Sequence, residues 1–151
     1  MKGFGQLDNP RHLLAKLTHD YARMMAGPGD QYAAFDFFVT AEHMVDWVAP
    51  GYARQQERSA MRNANPLLQV VSHIASGSKH FVAEHARHHH VQHVDAAPSL
   101  VEPGDAMLVP ASLYVTLEGE AARIFGPEIA VMQLAEQVLS FWEKFVESEL
   151  S

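Results

Sequence analysis

The stretch that decides the fold runs from Gln31 to Val48 and reads QYAAFDFFVTAEHMVDWV. Its apolar residues cover most of the circumference of a helix, and a helix of that kind is buried on most of its sides. Asp30 is a good N-cap in front of it, and Pro50 ends it because the residue before a proline avoids helical geometry. The stretch therefore predicts a central helix around which the rest of the chain packs.

A first and a third helix are predicted on either side of this central helix. Prolines suit the first turn of a helix because their missing N–H has no partner there. Pro10 therefore starts the first helix, and the GPG sequence at 27–29 stops it. Pro66 opens the third helix, which extends to about Phe81 or one turn beyond. The polar segment at 51–65, between the central and third helices, is predicted to be a loop or a short exposed helix.

The chain changes character after the third helix and becomes rich in His, Pro and Gly without a helical period. LYVTLE at 113–118 alternates apolar and polar residues, as a half-buried strand does. HHVQHV at 89–94 and AMLV at 106–109 are two further strand candidates, and the loop around 102–105 joins the first pair of strands. A last helix with Pro127 in its first turn then runs almost to the end.

The predicted fold class is mainly α: a bundle of about four helices with a small antiparallel β-element between the third and fourth helices. A length of 151 residues suits a single domain spanning 1–151, and 48% hydrophobic residues is an ordinary globular composition. The chain has no cysteine, which excludes disulfides, thiolate nucleophiles and Cys-based zinc or iron–sulfur sites.

Charge and hydropathy restrict the partners that the chain can have. A net charge of -7 argues against broad nucleic-acid binding, because such binding needs a basic surface. No uncharged apolar run approaches the roughly 18–20 residues of a membrane span. The opening MKGFGQLDNPRHLL lacks the apolar core of a signal peptide. We therefore expect a cytoplasmic protein without membrane contact, for which nucleic acid is relevant only as the substrate of a nuclease.

A histidine-rich run, HARHHHVQHV, occupies positions 85–94. Imidazole clusters bind zinc, nickel or copper, and alternate residues of a strand point the same way. The candidate metal ligands are His85, His88, His90 and His93. Exposed histidine tracts also capture metals adventitiously, so a physiological zinc or nickel site and an adventitious one are both open.

A second candidate site lies where the central and third helices would meet. His43 and Asp46 are neighbours on one helix face, and His43 is expected to point partly inward. On the third helix, His73 and His80 are separated along one face by about two turns, or roughly 10 Å. If the two helices pack antiparallel, these four side chains share one groove. Together with Lys79 they form the candidate catalytic set.

A structural interpretation of the same residues is also available. Ser76 and Gly77 lie between the two histidines of the third helix and are small enough for a close helix crossing. A buried His paired with an Asp beside such a seam is a common way to satisfy polar groups in a bundle core. The sequence favours this interpretation, because it shows no nucleophile or complete ligand set and no Gly-rich phosphate loop, GxSxG elbow or HExxH motif.

The two helices carry the pattern Phe-x-x-x-Ala-x-His-x-x-Asp-Trp and then Ile-Ala-Ser-Gly-x-Lys-His. The residues of the pattern are Phe37, Ala41, His43, Asp46, Trp47, Ile74, Ala75, Gly77, Lys79 and His80, with Ser76 where the pattern usually has Asn. In this the chain resembles a set of small, mostly uncharacterised bacterial and phage-associated helical proteins. The segment at 113–145 is similar to the ending of the same proteins. The resemblance implies a helical fold without a settled activity.

A weaker similarity is to HEPN domains, which are helical modules often found as RNase toxins or defence components. These domains use an Arg and a His with four to six residues between them. Arg87 and His93 have that spacing, whereas the segment at 72–80, where an HEPN-like helix would place the motif, has no Arg. The similarity implies an HEPN-like outline for the helical bundle.

The function expected from these features is that of a non-catalytic binding or oligomerisation module, defence- or phage-associated, that forms a homodimer. A broadly apolar helix in a small protein leaves surface that a second subunit or another protein can bury. Two alternatives stay open. One is an HEPN-type or metal-dependent nuclease that uses the candidate catalytic set, and the other is a histidine-rich protein that binds zinc or nickel through the run at 85–94.

Overall fold

The computed structural model of the protein describes residues 4–80, 88–97 and 112–149, apart from the side chains of residues 80 and 97. The described part is mainly helical, as predicted, with a small antiparallel sheet in which the strand order is β1-β2-β3. The helices are α1 (Pro10–Ala26), α2 (Gln31–Val48), α3 (Gln55–Ala64), α4 (Pro66–His80), α5 (Gly119–Phe125) and α6 (Val131–Glu149). The strands are β1 (Val91–Ala97), β2 (Ser112–Leu117) and β3 (Glu128–Ala130). Within these ranges, no helix combines the length and the apolar character that a membrane span requires.

Helix α2 is the centre of the bundle and contacts α1, α4 and α6. Phe37, Met44 and Val45 of this helix are fully buried. Its first turn is capped by Asp30, whose side chain accepts hydrogen bonds from the backbone N–H groups of two residues of that turn, at 2.9 and 3.1 Å. The cap and the nearly continuous apolar surface both lie within this one segment, which is why its sequence predicts the helix well.

Helix α6 and the sheet complete the hydrophobic core. Trp142 of α6 is fully buried, and the alternate β2 residues Leu113, Val115 and Leu117 turn their side chains into the same core. Strand β2 is the middle strand and pairs antiparallel with β1 on one side and with β3 on the other. The sheet thus covers one side of the helices, with its apolar face toward the core.

The prediction that the last helix begins at Pro127 is wrong, because strand β3 precedes it. The carbonyl of Pro127 accepts a hydrogen bond from the N–H of Leu117 at 2.9 Å, and the chain continues along β2 before α6 starts at Val131. Pairing with a strand already anchored in the core is a tertiary interaction, and it overrides the local preference of a proline for a helical first turn.

The number of helices also differs from the four that were predicted. The polar segment after α2 forms a short 3-10 helix at Tyr52–Arg54 followed by the helix α3, and α5 is a further short helix between β2 and β3. Strand β1 begins two residues after the start of the candidate strand at 89–94. The candidate strand at 106–109 and the loop at 102–105 lie outside the described residues.

Arginines from the segment after α2 hold the C-terminus of that helix. The Nη1 of Arg54 donates to the carbonyl of Val48 at 3.1 Å, and the Nη1 of Arg58 donates to the carbonyls of Ala49 and Gly51 at 2.7 Å each. The last carbonyls of a helix have no intrahelical partner, and the negative end of the helix dipole favours a nearby cation. The arginines at four-residue spacing therefore cap the C-terminus of the central helix.

We expect the substitution Arg58→Ala to lower the free energy of unfolding by about 2 kcal/mol, because charged hydrogen bonds to two carbonyls are lost. The substitution also removes an ion pair in which the Arg58 Nε lies 3.1 Å from the Oδ1 of Asp46. Arg54→Ala is the matched control, since it removes one carbonyl bond and an exposed pair with Glu57, and should cost under about 1 kcal/mol. Urea unfolding of both variants measures the difference, and equal losses would contradict the assignment.

A buried carboxylate lies between α1 and α2. Asp20 is 2% exposed, and its Oδ2 accepts hydrogen bonds from the Thr40 hydroxyl at 2.8 Å and from the Lys16 ammonium at 2.6 Å. The Lys16 ammonium also donates to the Thr40 hydroxyl at 2.8 Å, and Arg23 lies 3.7 Å from the other carboxylate oxygen. The charge of Asp20 is therefore paired and hydrogen-bonded, as a buried carboxylate requires.

Candidate functional site

His73 of α4 lies at the junction between that helix and the start of β1. The residue is 8% exposed, and its Nδ1 accepts hydrogen bonds from the backbone N–H groups of Val91 at 3.0 Å and of His90 at 3.3 Å. Helix α4 brings the ring there because His73 continues the buried face that Val70 begins. A side chain of a helix thus accepts hydrogen bonds from the backbone amides at the start of strand β1.

These contacts determine which nitrogen of His73 carries the proton. A ring nitrogen that accepts two N–H groups holds no proton, so the neutral ring is protonated at Nε2. Burial lowers the pKa of His73, with smaller lowering contributions from His90 and His89 and an opposing one from Glu118. The neutral Nε2–H ring has no lone pair left with which to bind a metal ion or to accept a substrate proton. The geometry fits a structural role for His73.

The imidazole of His88 packs against His73. His88 is 8% exposed, and the two rings stack with their centroids 4.9 Å apart and their planes at 11°. His90 is half-buried, and burial lowers its pKa, although Glu120 nearby acts in the opposite direction. His88 therefore packs against α4, His89 is exposed, and strand β1 begins only at Val91.

The structure places the two candidate catalytic residues of α2 away from the contacts of His73. His43 is exposed, so the expectation that it points partly inward is wrong. Asp46 is half exposed, and its Oδ1 lies 3.1 Å from Arg58 and 3.9 Å from Arg62 of α3. Among the described residues, no hydrogen bond, ion pair or ring contact joins either side chain to His73. Asp46 instead links α2 to α3.

The C-terminal end of α4 holds the rest of the candidate catalytic set. Lys79 is exposed, and His80 is the last residue of the helix, with a side chain outside the described atoms. A Cβ added at Gly77 would meet no described atom within 4 Å. The expectation that Gly77 makes a close helix crossing is therefore wrong for the described part of the chain.

The candidate metal ligand on β1 contacts other side chains of the sheet. The Nε2 of His93 lies 3.1 Å from the hydroxyl of Thr116 and 3.2 Å from the Oδ2 of Asp95. Both contacts use the same ring nitrogen, whereas a catalytic triad needs the acid on one nitrogen and the nucleophile on the other. His85 lies outside the described residues. Across 4–80, 88–97 and 112–149, no group of three or more His, Asp or Glu is placed to hold a metal ion.

No protein-family model, curated protein or solved structure matches this chain.

Strand β1 is an edge strand, and it forms a surface that sequence reasoning did not single out. Among the described residues it pairs only with β2, and residues 92–96 are all exposed. Val94 lies opposite the buried Val115 and so faces the core side of the sheet, yet it is 42% exposed. Next to it on α2, Phe35 is 47% exposed and lines the same apolar groove, of about 200 Å³. We call these two residues with the edge of β1 the β1 edge surface.

A second cavity of about 200 Å³ lies between α3, α4 and residues 88–90, and we call it the Ser72 cavity. Its lining residues are Arg62, Asn63, Gln69, Ser72, His88, His89 and His90. Ser72 is 3% exposed, and its hydroxyl has no hydrogen-bond partner among the described residues. Sequence reasoning missed this cavity because its walls come from three separate segments. The signal was available, since Ser72 is a polar residue on the apolar face of a helix.

Proposed function

We propose that this chain is a non-catalytic binding module that forms a homodimer by pairing its β1 strand with β1 of a second copy. The observation that supports the proposal is that the exposed β1 sequence is self-complementary about Val94. When two such strands pair antiparallel with Val94 at the centre, each His93 lies opposite Asp95 of the other copy. Hydrogen-bonding and apolar cross-strand pairs each contribute about 0.2–1 kcal/mol.

The backbone of β1 supports the same pairing. An edge strand presents a row of N–H and C=O groups that can bind another strand, and lysines or prolines usually protect such an edge. The β1 sequence, VQHVDAA, contains neither. A bulge lies between Val91 and His93, and the pairing register with β2 is regular from His93 onward. The edge is therefore regular around the proposed centre of the dimer.

The charges of β1 also select the register. Centring the pair on Asp95 would bring two carboxylates face to face, which is destabilising. Centring it on Val94 brings two half-exposed valines together instead, beside the exposed Phe35 of each subunit. Apolar contact and the avoidance of facing carboxylates thus favour one and the same alignment.

The contacts of the candidate catalytic residues favour binding over the nuclease and metal alternatives. The Nδ1 of His73 receives two backbone amides, and Asp46 is paired with Arg58. The HEPN-like outline, the cytoplasmic location and the defence or phage association rest on the sequence features and resemblances alone. RNA cleavage by the wild type that is lost in His43→Ala would favour the nuclease over the binding module.

Light scattering of the tag-free protein tests the dimer, and we expect twice the chain mass of 16.8 kDa. The substitution His93→Asp should weaken association by about tenfold or more, because it places two pairs of carboxylates face to face across the interface. The double variant His93→Asp, Asp95→Lys places opposite charges across the interface and should restore the dimer. Glu128→Gln on the other edge strand is the control and should leave the mass unchanged. A monomeric wild type, or a double variant no better than the single one, would refute the proposal.

A further inference from the structure

We propose that the Ser72 cavity binds an uncharged planar heterocycle by its hydrogen-bonding edge, and nucleobases are the chemical class that fits this description. The cavity is formed by α3, α4 and residues 88–90, and the β1 edge surface contributes no residue to it. The inference therefore goes beyond the proposed dimer and does not depend on it.

The buried hydroxyl of Ser72 is the first observation that points to a ligand. Buried polar groups are almost always hydrogen-bonded, and leaving one without a partner destabilises a fold. Ser72 is 3% exposed, lines the cavity, and its Oγ has no partner among the described residues. A ligand edge in the cavity would supply the missing hydrogen bond.

The charges around the cavity argue against an anionic ligand. Arg62 is the cation among the lining residues, and its Nε and Nη2 are already 2.8 and 2.7 Å from Glu42. The chain as a whole carries a net charge of -7, which repels anions. A phosphate or carboxylate group would meet a guanidinium that is largely neutralised, so an uncharged ligand fits better.

The polar groups of the lining include both donors and acceptors. The Gln69 amide nitrogen donates to the carbonyl of Asn63 at 2.9 Å, which leaves the amide oxygen of Gln69 as an acceptor. The Ser72 hydroxyl and the side-chain amide of Asn63 provide donors beside it. A nucleobase edge carries the same mixture, whereas a phosphate offers acceptors only.

The volume of the cavity and the planar side chains at its wall suit a planar ring of the size of a nucleobase. The cavity has a volume of about 200 Å³, which is below the roughly 300–1,000 Å³ of pockets for drug-sized ligands. It is large enough for a single base but not for a whole nucleotide. Imidazoles are among the side chains on which unstacked bases pack, and His89 and His90 lie at the cavity wall. The sugar of a bound nucleoside would then remain outside the cavity.

Calorimetric titration with the four free ribonucleosides tests the proposal on the full chain. We expect saturable binding of at least one nucleoside to the wild type, weakened about tenfold or more by Ser72→Ala. Ser78→Ala is the matched control, because Ser78 lies on the same helix, donates to the carbonyl of Ile74 and does not line this cavity. The control should bind the nucleoside like the wild type. His93→Asp should do so as well, which separates the result from that of the dimer.

Two further arms identify the source and the class of the ligand. Tighter binding of a single-stranded oligonucleotide of the same base would assign the site to RNA, and binding of the nucleoside alone would assign it to free nucleosides; either supports the proposal. Inorganic phosphate that displaces the nucleoside would overturn it in favour of an anion site. Absence of nucleoside binding at millimolar concentration, or equal affinity in Ser72→Ala and the wild type, would also overturn it.

Discussion

Replacing Asp20 by Ala is expected to lower the free energy of unfolding by about 3 kcal/mol, because the hydrogen bonds that this buried carboxylate accepts from an ammonium and from a hydroxyl are both lost. The Asp20 carboxylate is 2% exposed, and both the Lys16 ammonium and the Thr40 hydroxyl donate to it. In the variant, these two groups keep only their mutual hydrogen bond at 2.8 Å. Urea unfolding of the variant at neutral pH measures the loss.

The chain offers a control for this prediction on the same pair of helices. Asp36 forms an ion pair with Arg23 at 2.7 Å but is 44% exposed, so Asp36→Ala should cost under about 1 kcal/mol. Thr40→Val keeps the shape of the side chain and removes its hydroxyl, which should cost about 1–2 kcal/mol. A loss for Asp20→Ala as small as that for Asp36→Ala would show that this cluster does not stabilise the packing of α1 on α2.

The second large effect is expected for His73→Ala, which should lower the free energy of unfolding by about 3 kcal/mol, since two backbone amides lose their acceptor and a buried ring is removed. The amides are those of Val91 and His90, and the stacked ring of His88 loses its neighbour as well. His19→Ala changes an exposed histidine of α1, away from the β1 edge surface, and should stay within about 0.5 kcal/mol of the wild type. Equal losses for the two variants would contradict the role assigned to His73.

The stability of the protein should also fall in mild acid, and His73 should contribute to that fall. Burial lowers the pKa of His73 below its ordinary value of 6.5. As the pH falls below that value, the unfolded chain binds a proton that the folded chain does not, so the folded state loses stability until the lowered pKa is reached. The contribution is fully present above the ordinary pKa.

The substitution His73→Gln isolates this contribution, because Gln retains an acceptor but does not titrate. Its unfolding free energy should therefore depend less on pH than that of the wild type between about pH 7 and 5. The groups that face His73, namely His90, His89 and Glu118, remain in the variant, and His90 keeps part of the dependence because burial lowers its pKa too. An unchanged dependence on pH in His73→Gln would contradict the lowered pKa.

The helices could be predicted where the apolar pattern and the cap lie in one short segment. The Asn9 side chain caps α1 by accepting hydrogen bonds from two backbone N–H groups, and Asp30 does the same for α2. The face of α2 that points to solvent could not be predicted from the apolar pattern and the cap. His43 follows Phe35 and Val39 at helical spacing, which favours an inward direction for His43, but Phe35 is 47% exposed and His43 is exposed as well. A helix that is apolar nearly all round carries little information on its own orientation.

The candidate sites depended on contacts between distant segments, which a sequence pattern does not contain. The hydrogen bonds of His73 cross 17 and 18 residues to backbone groups, so no side-chain motif encodes them. The histidine run suggested metal ligands by residue type alone, whereas packing of His88 against α4 depends on tertiary structure. Ser72 is the residue that the sequence could most easily have singled out. A hydroxyl on the buried face of a helix needs a hydrogen-bond partner, whichever segment of the chain supplies it.

The contact between α4 and β1 couples the local unfolding of these two elements. Hydrogen exchange of most strand amides is limited by loss of the neighbouring strand, but the amide of Val91 is held by a helix side chain. That amide is released to solvent when β1 and α4 separate, even if the pairing of β1 with β2 remains in place. The start of β1 and helix α4 therefore belong to one cooperative unit of local unfolding, although His90 follows His73 by 17 positions in the chain.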